Sequence, residues 1–173
     1  MKKILIIAIT FILALNFAAC GTKQTPGGDK PGNDPVLNES LEDILKKIYE
    51  TAELSDNFRE FVENGLQTTV VTSDRTAFYL GKEDIEFEEA LASESIMMPS
   101  AYELTLVRVK EDADVEKIKN EIRENVDPNK WICVGVDPEN VIVDNIGNVI
   151  IVIMSDYEGK ALHDAFLALK GQK

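Results

Sequence analysis

The apolar positions of this chain follow two periods. Leu41, Ile44, Leu45, Ile48, Tyr49 and Ala52 recur at helical spacing on one stripe, which predicts an amphipathic helix. Ser40, with Asp43 three residues on, offers that helix a capping box. Phe58, Phe61 and Val62 predict a second, short helical turn. Thr68–Thr72 is β-prone or a loop. Asp74–Leu80, closed by Gly81, reads as a short helix with a glycine C-cap. Glu89–Met98 and Ala101–Lys110 then form a pair of strands around Pro99-Ser100. Tyr102, Leu104 and Leu106 alternate with Glu103 and Thr105, the pattern of a half-buried strand. Asp114–Val126 carries Val115, Ile118, Ile122 and Val126 on one helical face and stops at Asp127-Pro128. Trp131–Val136, Val141–Asp144 and Val149–Met154 read as three more strands, the last two joined by a turn at Asn145-Ile146-Gly147-Asn148. Tyr157, Ala161, Leu162, Ala165, Phe166 and Leu169 predict a closing helix.

This order predicts a single α+β domain with a mixed or mainly antiparallel sheet of about five strands packed with helices. Val149–Met154 has no polar residue, so both its faces need cover. The expected cover is the helices at 114–126 and 156–170 on one face and the helix at 41–53 on the other, giving a monomer.

The first twenty residues follow neither period. Lys2 and Lys3 precede a run from Ile4 to Phe17 interrupted only by Thr10 and Asn16. A span needs roughly twenty apolar residues; this run has the length of a signal-peptide core instead. It ends in Phe17-Ala18-Ala19-Cys20-Gly21, which resembles the lipobox of bacterial lipoproteins, with Phe17 where Leu is usual. The expectation is a leader over 1–19, cleavage before Cys20, and a diacylglyceryl anchor on the Cys20 thiol. Two acyl chains suffice for stable attachment. A plain secretory signal followed by an incidental cysteine is the alternative. Residues 21–37 hold Pro26, Gly27, Gly28, Pro31, Gly32 and Pro35, a composition too poor in apolar surface to fold. With Cys20 they read as a lipidated linker over 20–37, followed by the domain over 38–173.

Charge narrows the partners. The formal net charge is −13, and loss of Lys2 and Lys3 with the leader makes it −15. Nucleic-acid binding rests on neutralising phosphates with Lys and Arg, so that class is excluded. Anionic headgroups would also repel the domain, so the lipid on Cys20 must hold it at a membrane. With Cys20 acylated, Cys133 has no partner for a disulfide.

The stretch Ser40–Leu169 resembles an uncharacterised family of short lipoproteins from Gram-positive bacteria. The resemblance is carried by Leu41-Glu42-Asp43-Ile44-Leu45, Tyr79-Leu80-Gly81, Ile96–Val109 and Asp127-Pro128-Asn129-Lys130-Trp131, taken in order. It implies an extracytoplasmic, membrane-anchored location and supplies no activity or catalytic residue.

Candidate chemistry is sparse. One histidine, His163, and one remaining cysteine cannot make a zinc site of the usual kind. A Cys133–His163 nucleophilic pair is conceivable, but Cys133 between Ile132 and Val134 reads as inert packing in an apolar strand, and His163 as an ordinary surface or edge residue. Glu83, Asp84, Glu86, Glu88 and Glu89 lack calcium-loop spacing and read as a solvated acidic face. Ser93, Ser95, Ser100 and Ser155 lack a nucleophile-elbow context. Met97, Met98, Tyr102 and Trp131 are the residues with a binding flavour, against a core reading that burial preference favours. No catalytic residue, metal site or cofactor is expected. The functional classes left are a non-enzymatic module binding an envelope protein, a small enzyme working through carboxylates, and a solute-binding lipoprotein. Cys20→Ala should abolish incorporation of labelled fatty acid and either release the protein from the membrane fraction or leave the uncut precursor. Membrane retention with a trimmed N-terminus would contradict the lipobox reading.

Overall fold

A computed structural model describes residues 36–171. The leader, Cys20 and the linker up to residue 35 lie outside the described residues. Among the described residues no helix is long and apolar enough to cross a membrane.

The sequence folds into α1 (Leu41–Thr51), α2 (Asp56–Asn64), β1 (Leu66–Val70), α3 (Thr76–Leu80), β2 (Glu89–Ser95), β3 (Glu103–Arg108), α4 (Val115–Asn125), β4 (Val141–Ile146), β5 (Val149–Met154) and α5 (Gly159–Ala168). The five strands form one sheet in the order β1-β2-β3-β5-β4, every neighbour antiparallel. This is the α+β domain the patterning predicts. β2 and β3 pair as expected, with Glu94 opposite Glu103 and Glu89 opposite Arg108, but the strands stop at Ser95 and resume at Glu103, so the connection is longer than a turn at Pro99-Ser100. The Ser40 cap is also present: its Oγ accepts the Asp43 N–H at 3.1 Å and donates to Asp43 Oδ2 at 2.8 Å.

All six side chains of β5 are buried, and two cores explain why. Val149, Ile151 and Ile153 join Leu104 and Leu106 under Leu41, Ile44 and Ile48 of α1 and Leu162 and Phe166 of α5. Ile150 and Val152 join Ala92, Val107 and Val143 under Tyr79 and Leu80 of α3 and Ile122 of α4. Each buried Ile or Val contributes roughly 1.5–3 kcal/mol, so neither layer is dispensable.

Three expectations are corrected. First, α5 shares its face with α1, not with α4. β3 and β4 both run antiparallel to β5 and so parallel to each other, which makes β3-α4-β4 a crossover. A crossover of this kind has one preferred hand, which fixes the face its helix takes. Second, Trp131–Val136 is a loop, and β1 supplies the fifth strand. Cys133 has φ +65°, which no strand accommodates, and the Val136 N–H donates to the Pro128 carbonyl at 2.8 Å rather than to a neighbouring strand. Third, β3 is buried on both faces, since Glu103 and Thr105 are as enclosed as Leu104 and Leu106. Its alternation of polar and apolar residues separates two interior layers, not interior from water.

Gly81 shows how tightly the second layer closes. It ends α3 at φ +78°, and a Cβ there would sit 2.1 Å from the Asn125 carbonyl carbon at the end of α4. Gly81→Ala should therefore cost about 3 kcal/mol or more, from left-handed strain and forced separation of the two helices. Chemical unfolding of the variant measures this; a loss below about 1 kcal/mol would mean the helix ends are free to part.

Candidate functional site

The strand registers fix what lies at each end of the sheet. Glu94, Glu103, Met154 and Val141 align at one end, and Glu89, Arg108 and Val149 at the other. The chain enters the domain at the Arg108 end, where the guanidinium bonds the Leu37 carbonyl at 3.2 Å and the Glu39 carbonyl at 2.5 Å. The opposite end carries the β2–β3 connection, the segment from α4 to β4 and the turn after β5. Ile96 (53% exposed), Met97 (52%), Met98 (71%), Ile132 (69%) and Tyr157 (87%) all belong to these three segments.

A buried ion pair organises the middle segment. Glu103, 1% exposed, opens β3 with its carboxylate turned into the α3–α4 layer. It accepts the Thr105 hydroxyl at 2.8 Å and pairs with the Lys130 ammonium. Lys130 also donates to the Phe78 carbonyl at 2.9 Å, and its Nζ lies 4.3 Å from the Phe78 ring centre, 5.2 Å from Tyr79 and 5.3 Å from Trp131. An ammonium within about 6 Å of several ring faces gains from each when desolvated. Burial pushes the Glu103 carboxyl above its usual range, and the charge and hydrogen bond of Lys130 pull against it. Next to it, Glu94 accepts from Tyr79 at 3.0 Å and Thr69 at 2.9 Å. Burial, then the Glu94 charge, pushes the Tyr79 hydroxyl up to about 12. The lysine ties the segment after α4 to the middle strand and sets where Trp131, Ile132 and Cys133 emerge.

Of the predicted binding residues, Met97 and Met98 are exposed, Trp131 is half-buried and Tyr102 is buried. Tyr102 belongs to the other face, where its ring packs edge-on against Phe58 and Phe61 at 5.6 and 5.5 Å and its hydroxyl meets that of Tyr49 at 2.8 Å. Cys133, expected to be shielded in a strand, is exposed on the loop. His163 is held by Asp144 of β4 at 2.8 Å, not by Cys133, so no nucleophilic pair is assembled. Burial opposes ionisation of Asp144, but the His163 bond and the Asn145 N–H outweigh it and hold the carboxyl below its ordinary range. The acidic stretch from Glu83 to Glu89 points to solvent, with Glu86 and Glu89 paired to Lys110 and Arg108. Among the described residues no three His, Cys, Asp or Glu side chains converge on a metal position.

A groove lies elsewhere among the described residues. It has a volume of about 430 Å3 between α1, α2 and the β1 side of the sheet and is lined by residues that include Tyr49, Arg59, Val62, Leu66, Thr68 and Ser93. Its walls do not include Glu103, the carboxylate with the raised pKa, which is sealed under Lys130 on the other face of the sheet. The groove has carboxylates of its own in Glu42, Glu50 and Glu63. No family model, curated protein or solved structure matches the chain.

Lys130→Met strands a buried carboxylate and should cost about 3–5 kcal/mol at neutral pH. A Glu103 whose folded pKa is raised stabilises fully only below its unfolded pKa, and that contribution is lost as pH rises through the folded value. The deficit of Lys130→Met should therefore shrink on acidification, and Lys130→Met/Glu103→Gln should recover most of it at neutral pH. Urea unfolding across pH checks both; a deficit that persists unchanged in acid would contradict the assignment.

Proposed function

We propose that the chain is a lipid-anchored, extracytoplasmic interaction module, and that the end of the domain carrying Met98, Ile132 and Tyr157 engages another protein of the envelope. One observation carries this reading. Five of the eight large apolar side chains exposed among the described residues (Ile96, Met97, Met98, Ile132 and Tyr157) lie on the segments at one end of the sheet, and the chain enters the domain at the other end. Clustered exposed apolar surface marks interaction sites, and methionine and aromatic residues are enriched there. The lipobox-like Phe17–Gly21 and the resemblance to Gram-positive lipoproteins support the anchored location. The Lys130–Glu103 pair supports a preorganised site, because it fixes the loop before a partner arrives and so lowers the ordering entropy of binding.

A photo-crosslinking residue placed at Met98 of the full-length chain in intact cells, with Lys117 on α4 as the comparison position, tests this. The expected result is one discrete adduct with a different protein from position 98, none from position 117, and loss of the adduct in Ile132→Asp/Tyr157→Asp. Equal labelling from both positions, or an adduct indifferent to those changes, would remove the assignment.

A further inference from the structure

The two edges of the sheet are built differently. On the β4 edge, the Val143 carbonyl is capped by the Arg123 guanidinium from α4 at 2.6 Å. The Asn145 N–H on the same strand is taken by Asp144 Oδ1 at 2.8 Å, and Lys119 closes on the Asn145 side chain at 2.8 Å. Charges and borrowed hydrogen bonds of this kind are how proteins blunt a free edge.

The β1 edge has none of this. The Ile96 N–H donates to Gly65 and the Val71 N–H to Ala90, each at 2.9 Å. In an antiparallel ladder bonded positions alternate, so 65, 67, 69 and 71 bond inward to β2. Leu66, Thr68 and Val70 therefore turn their N–H and C=O groups outward. Among the described residues none of these groups has a hydrogen-bond partner. Val70 is 66% exposed, and Leu66–Val70 contains no charged residue and no proline in a chain that is 28% charged.

We propose that β1 pairs antiparallel with β1 of a second copy of this chain, about a twofold axis at Thr68, joining the two sheets edge to edge. The sequence Leu66-Gln67-Thr68-Thr69-Val70 reads the same in polarity from either end. The axis sets Leu66 opposite Val70 of the partner copy, Gln67 opposite Thr69, and Thr68 opposite Thr68. All three outward-facing residues then fall at bonded positions, each pair exchanging both its hydrogen bonds. The cross-strand neighbours are apolar on apolar and threonine on threonine, combinations that stabilise a sheet. A charged strand would set like charges against each other at a twofold axis, and of the two edge strands only β1 carries no charged residue. The expectation of a monomer rested on covered sheet faces; the faces are covered, but the edge is open. A strand edge is small beside the roughly 800 Å2 per partner of a standard interface, so a covalent trap is the suitable readout. This surface is distinct from the apolar end carrying Met98.

The trap is register-specific. In the full-length chain in cells, with Cys133→Ser throughout, Thr68→Cys places two thiols on a bonded pair about 5.5 Å apart between Cα atoms, inside the range a disulfide accepts. Val70→Cys places its two thiols about 13 Å apart along the ladder. Mild oxidation should give roughly tenfold more disulfide-linked homodimer with Thr68→Cys than with Val70→Cys, and Leu66→Cys/Val70→Cys should restore the dimer. The Cys133→Ser parent sets the background from Cys20. Equal yields from Thr68→Cys and Val70→Cys, no homodimer above background, or Thr68→Cys linking only to a different protein would each overturn the proposal, the last by giving the edge to another occupant.

Discussion

The strand from Val149 to Met154 is the constraint on which the rest of this molecule is arranged. A six-residue strand with no polar side chain cannot lie on a surface, cannot be an edge, and cannot have fewer than two layers over it. Burying it on both sides requires α1 and α5 on one face and α3 and α4 on the other. It also requires a strand on each side, which β3 and β4 supply. The sheet is then too enclosed for the polar residues of β3 to reach water. Glu103 is thus placed where only a counter-charge makes it tolerable, and Lys130 is drawn in from the segment after α4. The hydrophobic demand of one strand sets up the electrostatic device of its neighbour.

Much of the fold was legible from periodicity. The helices at 41–52 and 114–126, the β2–β3 hairpin and the doubly buried β5 follow from spacing alone, because there local pattern and tertiary context agree. The misreadings came where they part. Leu66-Gln67-Thr68-Thr69-Val70 is too polar to announce itself as a strand, since it faces the core on neither side fully. Trp131-Ile132-Cys133-Val134-Gly135-Val136 has the residues of a strand but belongs to a loop whose shape is set by the lysine before it. β-propensity reports fit to a pleated surface, and this segment pairs with no strand of the sheet. Which helix covers which face depends on crossover handedness, a property of the assembled chain rather than of any helix.

The site was less legible than the fold. Methionine and aromatic content pointed to Met97, Met98, Tyr102 and Trp131, but composition does not separate a tyrosine under two phenylalanines from methionines at a hairpin tip. Ile132 and Tyr157 were read as a strand and a helix residue and emerged as two of the most exposed apolar side chains. The Glu103–Lys130 pair left no local trace. An acid and a threonine alternating with leucines look the same whether they face water or a lysine brought back from 27 residues later in the chain.

Arg123 has a consequence beyond its own hydrogen bond. A protein with two open sheet edges does not stop at pairs: each added copy exposes a fresh edge, and assembly runs on as an open-ended fibre. With Arg123 on the Val143 carbonyl, Asp144 on the Asn145 N–H and Lys119 on the Asn145 side chain, the β4 edge is blunted, so the pairing proposed at β1 would end at two copies. A few side chains on α4 and β4 would thus separate a closed assembly from an indefinite one.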